Sequence, residues 1–178
     1  MTTNITGSLT GFAAVYGPID SIEPDYEHLR TVSNSMVPFG NHVGTSITEI
    51  GPDRAVVEIP AQPHVLNHMS TVHAGALFTA ADIAGAAAFV GAAATRLGTV
   101  TQLVLRAATA SYRKPAIGRI RAVARVDQHE LHDILTVDRD ARFELSGKAL
   151  LLDDNDVVVA KFTFDYVCDV AADTTARV

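Results

Sequence analysis

The sequence predicts a single α+β domain, and three observations predict it. A run of about 21 residues from Ala74 to Ala94 is built mostly from Ala and Gly and is interrupted by one carboxylate, Asp82. Two short stretches of strand character precede it, and four more follow it. A helix with so few bulky side chains can approach another backbone closely, as a helix wrapped by a curved antiparallel sheet must.

The remaining elements follow from spacing and turn chemistry. Residues 1 to 22 mix Thr, Ser, Gly and Pro18 without a helical or strand period, so they are expected as a mobile or loosely docked arm. One domain over residues 23–170 and a tail over 171–178 complete the division. From Pro24, Tyr26, Leu29, Val32 and Met36 recur at spacings of three and four, which predicts a short leading helix with Pro38 to Gly40 as its stop. Val43 to Ile50 and Arg54 to Ile59 are strand candidates joined by Gly51-Pro52-Asp53, a turn by local chemistry. His64 to Val72 is expected as an irregular or short helical loop. The long helix, roughly 30 Å at 1.5 Å per residue, comes next.

Beyond the helix, Thr101 to Tyr112 is extended in character. Arg113 to Gly118 forms a turn with two cations at its start. Arg119 to Val126 places Ile120, Ala122, Ala124 and Val126 on one face. Arg139 to Leu152 and Val157 to Cys168 are joined by the acidic turn Asp153 to Asp156, and Val158, Ala160, Phe162, Phe164, Tyr166 and Cys168 share one face.

Size and composition limit the function classes. The chain has 178 residues, 48% of them hydrophobic, enough for one full core. A net charge of −6 gives no broad attraction to nucleic acid, so a phosphate-bearing ligand would need local Arg or Lys. One cysteine, Cys168, excludes an internal disulfide framework and fits a reducing compartment. No Lys or Arg precedes Arg30 and no apolar run of signal length opens the chain, so a cytoplasmic location is expected. Ala and Gly have too little transfer free energy to drive Ala74 to Ala94 into lipid, and no membrane span is expected.

Chemistry concentrates between Asn67 and Asp82. If a helix starts near Ala74, the free N–H groups of its first turn and the positive end of its dipole suit a carbonyl oxygen that gains negative charge. Asp82 lies about two turns farther on among Ala80, Ala81, Ile83 and Ala84, where a solvated carboxylate is hard to accommodate. A carboxylate kept there is a candidate general base or nucleophile. The alternative is a structural pairing with Arg106 or Arg113.

Asn67, His73 followed by Ala74-Gly75, and Asp82 nine positions after the histidine resemble the Asn…His-Gly-Gly…Asp signature of PaaI-like hotdog thioesterases. Tyr112 to Ala116 resembles the aromatic-x-x-Pro-Ala turn of the same family. The resemblance spans roughly residues 40 to 168 and implies an α+β hotdog fold, an antiparallel sheet wrapped around a long central helix, assembled as a dimer or dimer of dimers. It implies that the Ala74 N–H polarises a thioester carbonyl, that Asp82 activates water or attacks directly, that Asn67 holds water or substrate, and that His73 shapes the helix start with Gly75. The substrate implied is an acyl-CoA, with no cofactor beyond the coenzyme A it carries. Asp82 would face Asn67 and Ala74 of a second copy. Two positions depart from the pattern: Ala74 adds a methyl group where the family has Gly, and the assisting hydroxyl of some relatives has only Thr99 or Thr101 as its counterpart.

Arg113 and Lys114 are candidate coenzyme A phosphate contacts, because Arg matches phosphate by paired hydrogen bonds and Lys acts as a point charge. The spacing of His64, His68 and His73 invites a metal site, but no Glu follows His64 in the metalloprotease pattern, and none is assigned. Acyl-CoA hydrolysis is the reading favoured, ahead of a non-catalytic acyl-CoA or lipid-binding dimer and of an enoyl-CoA hydratase or dehydratase.

Overall fold

A computed structural model describes residues 11–172. Its order is α1 (Gly11–Tyr16), α2 (Tyr26–Met36), α3 (Pro38–Val43), β1 (Ser46–Ile50), β2 (Ala55–Ile59), a short 3-10 turn (Pro63–Val65), α4 (Ala74–Ala92), a second 3-10 turn (Ala94–Thr99), β3 (Val100–Tyr112), β4 (Ile120–Val126), α5 (Gln128–Thr136), β5 (Ala141–Leu152) and β6 (Val158–Val170). The strands form one antiparallel sheet in the order β1-β2-β4-β5-β6-β3, wrapped around α4. This is the hotdog architecture.

The small residues of α4 permit the wrapping. A Cβ on Gly91 would lie 2.2 Å from the Gly51 carbonyl oxygen, so only a glycine lets the helix end meet the β1–β2 turn. By length and mean hydropathy, 1.5, α4 is apolar enough to cross a membrane, yet 12 of its 19 residues are buried by the rest of the chain. The half-exposed and exposed residues Gly75, Thr79, Asp82 and Ala86 recur at three and four along one open stripe.

Two local expectations are corrected, and one helix is added. Part of the expected loose arm is the helix α1. Its Tyr16 is buried, its hydroxyl is 2.8 Å from Ser33 Oγ, and Phe12 sets its ring edge-on to Phe89; residues 1–10 of that arm lie outside the described residues. Pro38 starts α3 instead of merely ending α2, because a missing N–H costs nothing in the first helical turn. Helix α5 was not anticipated. Asp127 caps it by accepting from the His129 and Glu130 N–H groups, and Leu131 and Ile134 are its buried pair.

The two sheet edges differ. At β1, the side chain of Asn34 on α2 accepts from the Ile47 N–H at 2.7 Å and donates to the Ile47 carbonyl at 3.0 Å, so that edge is covered. At β3, a 13-residue edge strand, almost every residue is at least partly exposed.

Candidate active site

The loop before α4 is pinned at both ends. Val72 N–H donates to the Ala116 carbonyl and His73 N–H to the Val65 carbonyl, each at 2.8 Å. Within the loop, Asn67 Oδ1 accepts from the N–H groups of Met69 at 2.9 Å and Thr71 at 3.2 Å, and Nδ2 donates to Thr71 Oγ1 at 2.9 Å. Asn67 therefore shapes its own loop first and leaves one Nδ2 proton uncommitted.

His73 has extended backbone angles and caps α4, with Nδ1 accepting the Gly75 N–H at 2.9 Å. An accepting Nδ1 places the ring proton on Nε2. No hydrogen bond engages the Ala74 N–H among the described residues, and Ala74 is exposed. The Tyr112 hydroxyl donates to the Ala74 carbonyl at 3.3 Å, tying the end of β3 to the helix start.

Two cavities flank this start. One, of about 530 Å³, is lined by Asn67, Thr71, Ala74, Tyr112, Arg113 and Lys114 among others. The structure thus brings together four residues singled out from sequence, and neither cation there has an acidic partner among the described residues. The other, of about 820 Å³, is lined by His42, His64, His73, Gly75, Phe78 and Thr79 among others. Phe78 and Thr79 were not foreseen, although their spacing from Asp82 puts them on the same helix stripe.

Asp82 is half-buried and has no ion-pair partner among the described residues. Arg106 pairs with Glu144 instead, at 2.7 Å, so the structural pairing considered for Asp82 does not form with it. Burial pushes the Asp82 carboxyl above its ordinary range. Eight residues of helix put the Ala74 N–H and Asp82 about 12 Å apart along the axis, too far to act on one carbonyl within a single chain.

Thr99 donates to the Arg96 carbonyl and Thr101 to the Asp169 carbonyl, and neither hydroxyl is bonded to Asp82. Among the described residues no three His, Cys, Asp or Glu side chains converge as metal ligands. Cys168 is buried, and its thiol is pushed up to about 12 by burial and then by Asp169.

Residues 26–167 match the family described as "Domain of unknown function (DUF4442)". No curated protein matches the sequence. Among solved structures, a Pseudomonas aeruginosa protein of unknown function described as a probable thioesterase is similar, with a TM-score of 0.66, 25% identity, and 81% of this chain and 95% of that chain covered. The Escherichia coli PaaI protein from the phenylacetic acid degradation operon is similar with a TM-score of 0.55 at 19% identity, covering 79% of this chain and 92% of its own. The strand order, the wrapped helix and the match over residues 26–167 together make this chain a member of the DUF4442 family, with the PaaI-like hotdog fold.

Proposed function

We propose that the protein is a thioesterase that hydrolyses an acyl-CoA to the free acid and coenzyme A. The observation that carries this is the presence on one helix of an uncommitted N–H at its start and, two turns on, a half-buried, unpaired Asp82 on its open stripe. The Ala74 N–H polarises the thioester carbonyl. Asp82 takes a proton from water as the water oxygen bonds to the carbonyl carbon. The tetrahedral intermediate then expels the thiolate, the C–S bond breaks, and the sulfur gains a proton. The probable-thioesterase description of the Pseudomonas aeruginosa protein supports the reaction class.

Because about 12 Å separates the two groups in one chain, the site is completed by a second copy, with Asp82 of one chain facing Ala74 of its partner. The uncovered β3 edge favours this assembly, since a long unpaired edge strand is a template for pairing and the β1 edge is already occupied by Asn34. Arg113 and Lys114, which line the cavity beside Ala74, hold the coenzyme A phosphates in this reading.

The acyl group enters the small, mostly apolar cavity, about 130 Å³, that lies along α4 beyond Asp82 at Ile83, Ala86 and Val90 and is also lined by Phe12 and Tyr16 of α1. A short acyl chain fits that volume. The test is release of free thiol from a panel of acyl-CoA substrates by the wild type and by Asp82→Asn. Loss of about a hundredfold or more in the variant is expected. Unchanged hydrolysis in the variant would remove Asp82 from the reaction, and tight binding without turnover would favour the non-catalytic dimer, for which the Ala74 methyl group is the supporting observation.

A further inference from the structure

Thr99 and Thr101 spend their hydroxyls on the Arg96 and Asp169 carbonyls. A different hydroxyl stands against the helix one turn from Asp82. Tyr166 lies on the inward face of β6, where Phe162 and Phe164 precede it, and is 1% exposed. Two glycines make room for it. A Cβ on Gly147 of β5 would lie 3.1 Å from the Tyr166 ring, and a Cβ on Gly85 of α4 would lie 2.1 Å from the phenol oxygen. Gly85 is three residues after Asp82, so the phenol reaches α4 at the turn following the carboxylate.

This arrangement carries two costs at one point. Glycine within a helix is unfavourable, and the Tyr166 hydroxyl is buried with no hydrogen-bond partner. Phenylalanine, already used at 162 and 164, would fill the ring space without either cost. The charge environment is simple. Burial first, and the Asp82 charge second, hold the Tyr166 phenol well above its ordinary range, so it remains a protonated donor. The inward β3 residues Leu105 and Ala108, and Leu145 of β5, carry no charge, and Cys168 is a neutral thiol. From α3, His42 shares the larger cavity with Thr79, one turn before Asp82.

We propose that Tyr166 is a positioning residue for Asp82: its O–H donates to the Asp82 carboxylate when that acid ionises, fixing the direction in which the carboxylate meets water. The ring is confined by Gly85 and Gly147, so the half-exposed Asp82 side chain is the partner that moves. The catalytic meaning of the contact rests on the thioesterase reading; the contact itself does not.

The test is Tyr166→Phe, which removes one oxygen and keeps the ring. The Asp82 side-chain carboxyl carbon, labelled with 13C and assigned as the signal missing from Asp82→Asn, is titrated by NMR in the wild type and in Tyr166→Phe. Losing a donor to the ionised form raises the acid's pKa, so the Asp82 titration is expected to move up by about one pH unit. The acid limb of kcat moves with it while KM holds. An Asp82 carbon that titrates at the same pH in both proteins overturns the proposal, even if the variant is more stable or slower. Wild-type hydrolysis by Asp82→Asn would instead defeat the thioesterase reading, and the titration would still decide whether Tyr166 and Asp82 are coupled.

Discussion

The His73 Nδ1 accepts the Gly75 N–H at 2.9 Å, so the imidazole caps α4 while the Ala74 N–H one residue earlier is left uncommitted. His73→Ala removes that cap and is expected to cost about 1 kcal/mol of stability, as N-cap losses do. His73→Asn restores an oxygen acceptor and most of the stability. Denaturant midpoints of the three proteins check this, and kcat is expected to follow the cap because the cap sets the direction of the first-turn donors.

Asp82 links activity to stability through pH. Burial raises its folded-state pKa above the unfolded value, so the folded chain holds the proton more tightly. The stability from that protonated acid is present in full below the unfolded pKa and is lost as pH rises through the folded one. Asp82→Asn lacks this loss. Its stability relative to wild type is therefore expected to grow as pH rises out of the ordinary Asp range, while its hydrolysis falls. Thermal melts of both proteins between about pH 3 and 8 test the sign; a constant difference across that range would contradict it.

Ala74 carries a methyl group where the PaaI-like pattern that the sequence resembles has glycine, and in the proposed reaction that methyl group faces the thioester. Ala74→Gly keeps the N–H, and at this exposed first-turn position it is expected to cost under about 1 kcal/mol. Relief of one methyl group is expected to raise kcat/KM by about tenfold for the bulkier acyl groups of a substrate panel. An unchanged ratio between bulky and small acyl groups would mean that the methyl group does not contact the acyl carbonyl.

Much of this architecture was legible because periodicity is a local property. The three-and-four spacing of Tyr26, Leu29, Val32 and Met36 gave α2, and the alternation from Val158 to Cys168 gave β6 with its inward row. Helix α1 was missed because its six residues are too few to show a period, and it is held by tertiary contacts of Phe12 and Tyr16. Helix α5 did carry a signal: Asp127 followed by Glu130, with Leu131 and Ile134 three apart. Other features depend on pairing order, which no local pattern encodes. That β3 is an uncovered edge follows from its place beside β6 alone, and the approach of Tyr166 to the turn after Asp82 follows from Gly85 being brought to its phenol oxygen and Gly147 to its ring. The candidate site divides the same way: the expected helix start, the apolar surroundings of Asp82 and the resemblance singled out His73, Ala74 and Asp82, whereas the distance that separates Ala74 from Asp82 required the straight helix between them.

That distance makes a cross-subunit site testable with two inactive proteins. Ala74→Pro removes the N–H that the proposed reaction uses and sets a ring carbon in its place. Proline suits the first helical position, and His73 before it already has the extended angles, φ −62° and ψ 140°, that a following proline demands. The variant is expected to fold with near wild-type stability and to lose about a hundredfold or more in kcat, as removal of an oxyanion donor does. Asp82→Asn is inactive for the complementary reason. When the two are unfolded together and refolded as a mixture, about half of the dimers contain one chain of each kind. If every site joins Ala74 of one chain to Asp82 of the other, each mixed dimer has one site with both defects and one with neither. Activity should then return to about one quarter of wild type, with the dimer population verified by light scattering. If both groups acted within one chain, every site in the mixture would carry a defect and no activity would return.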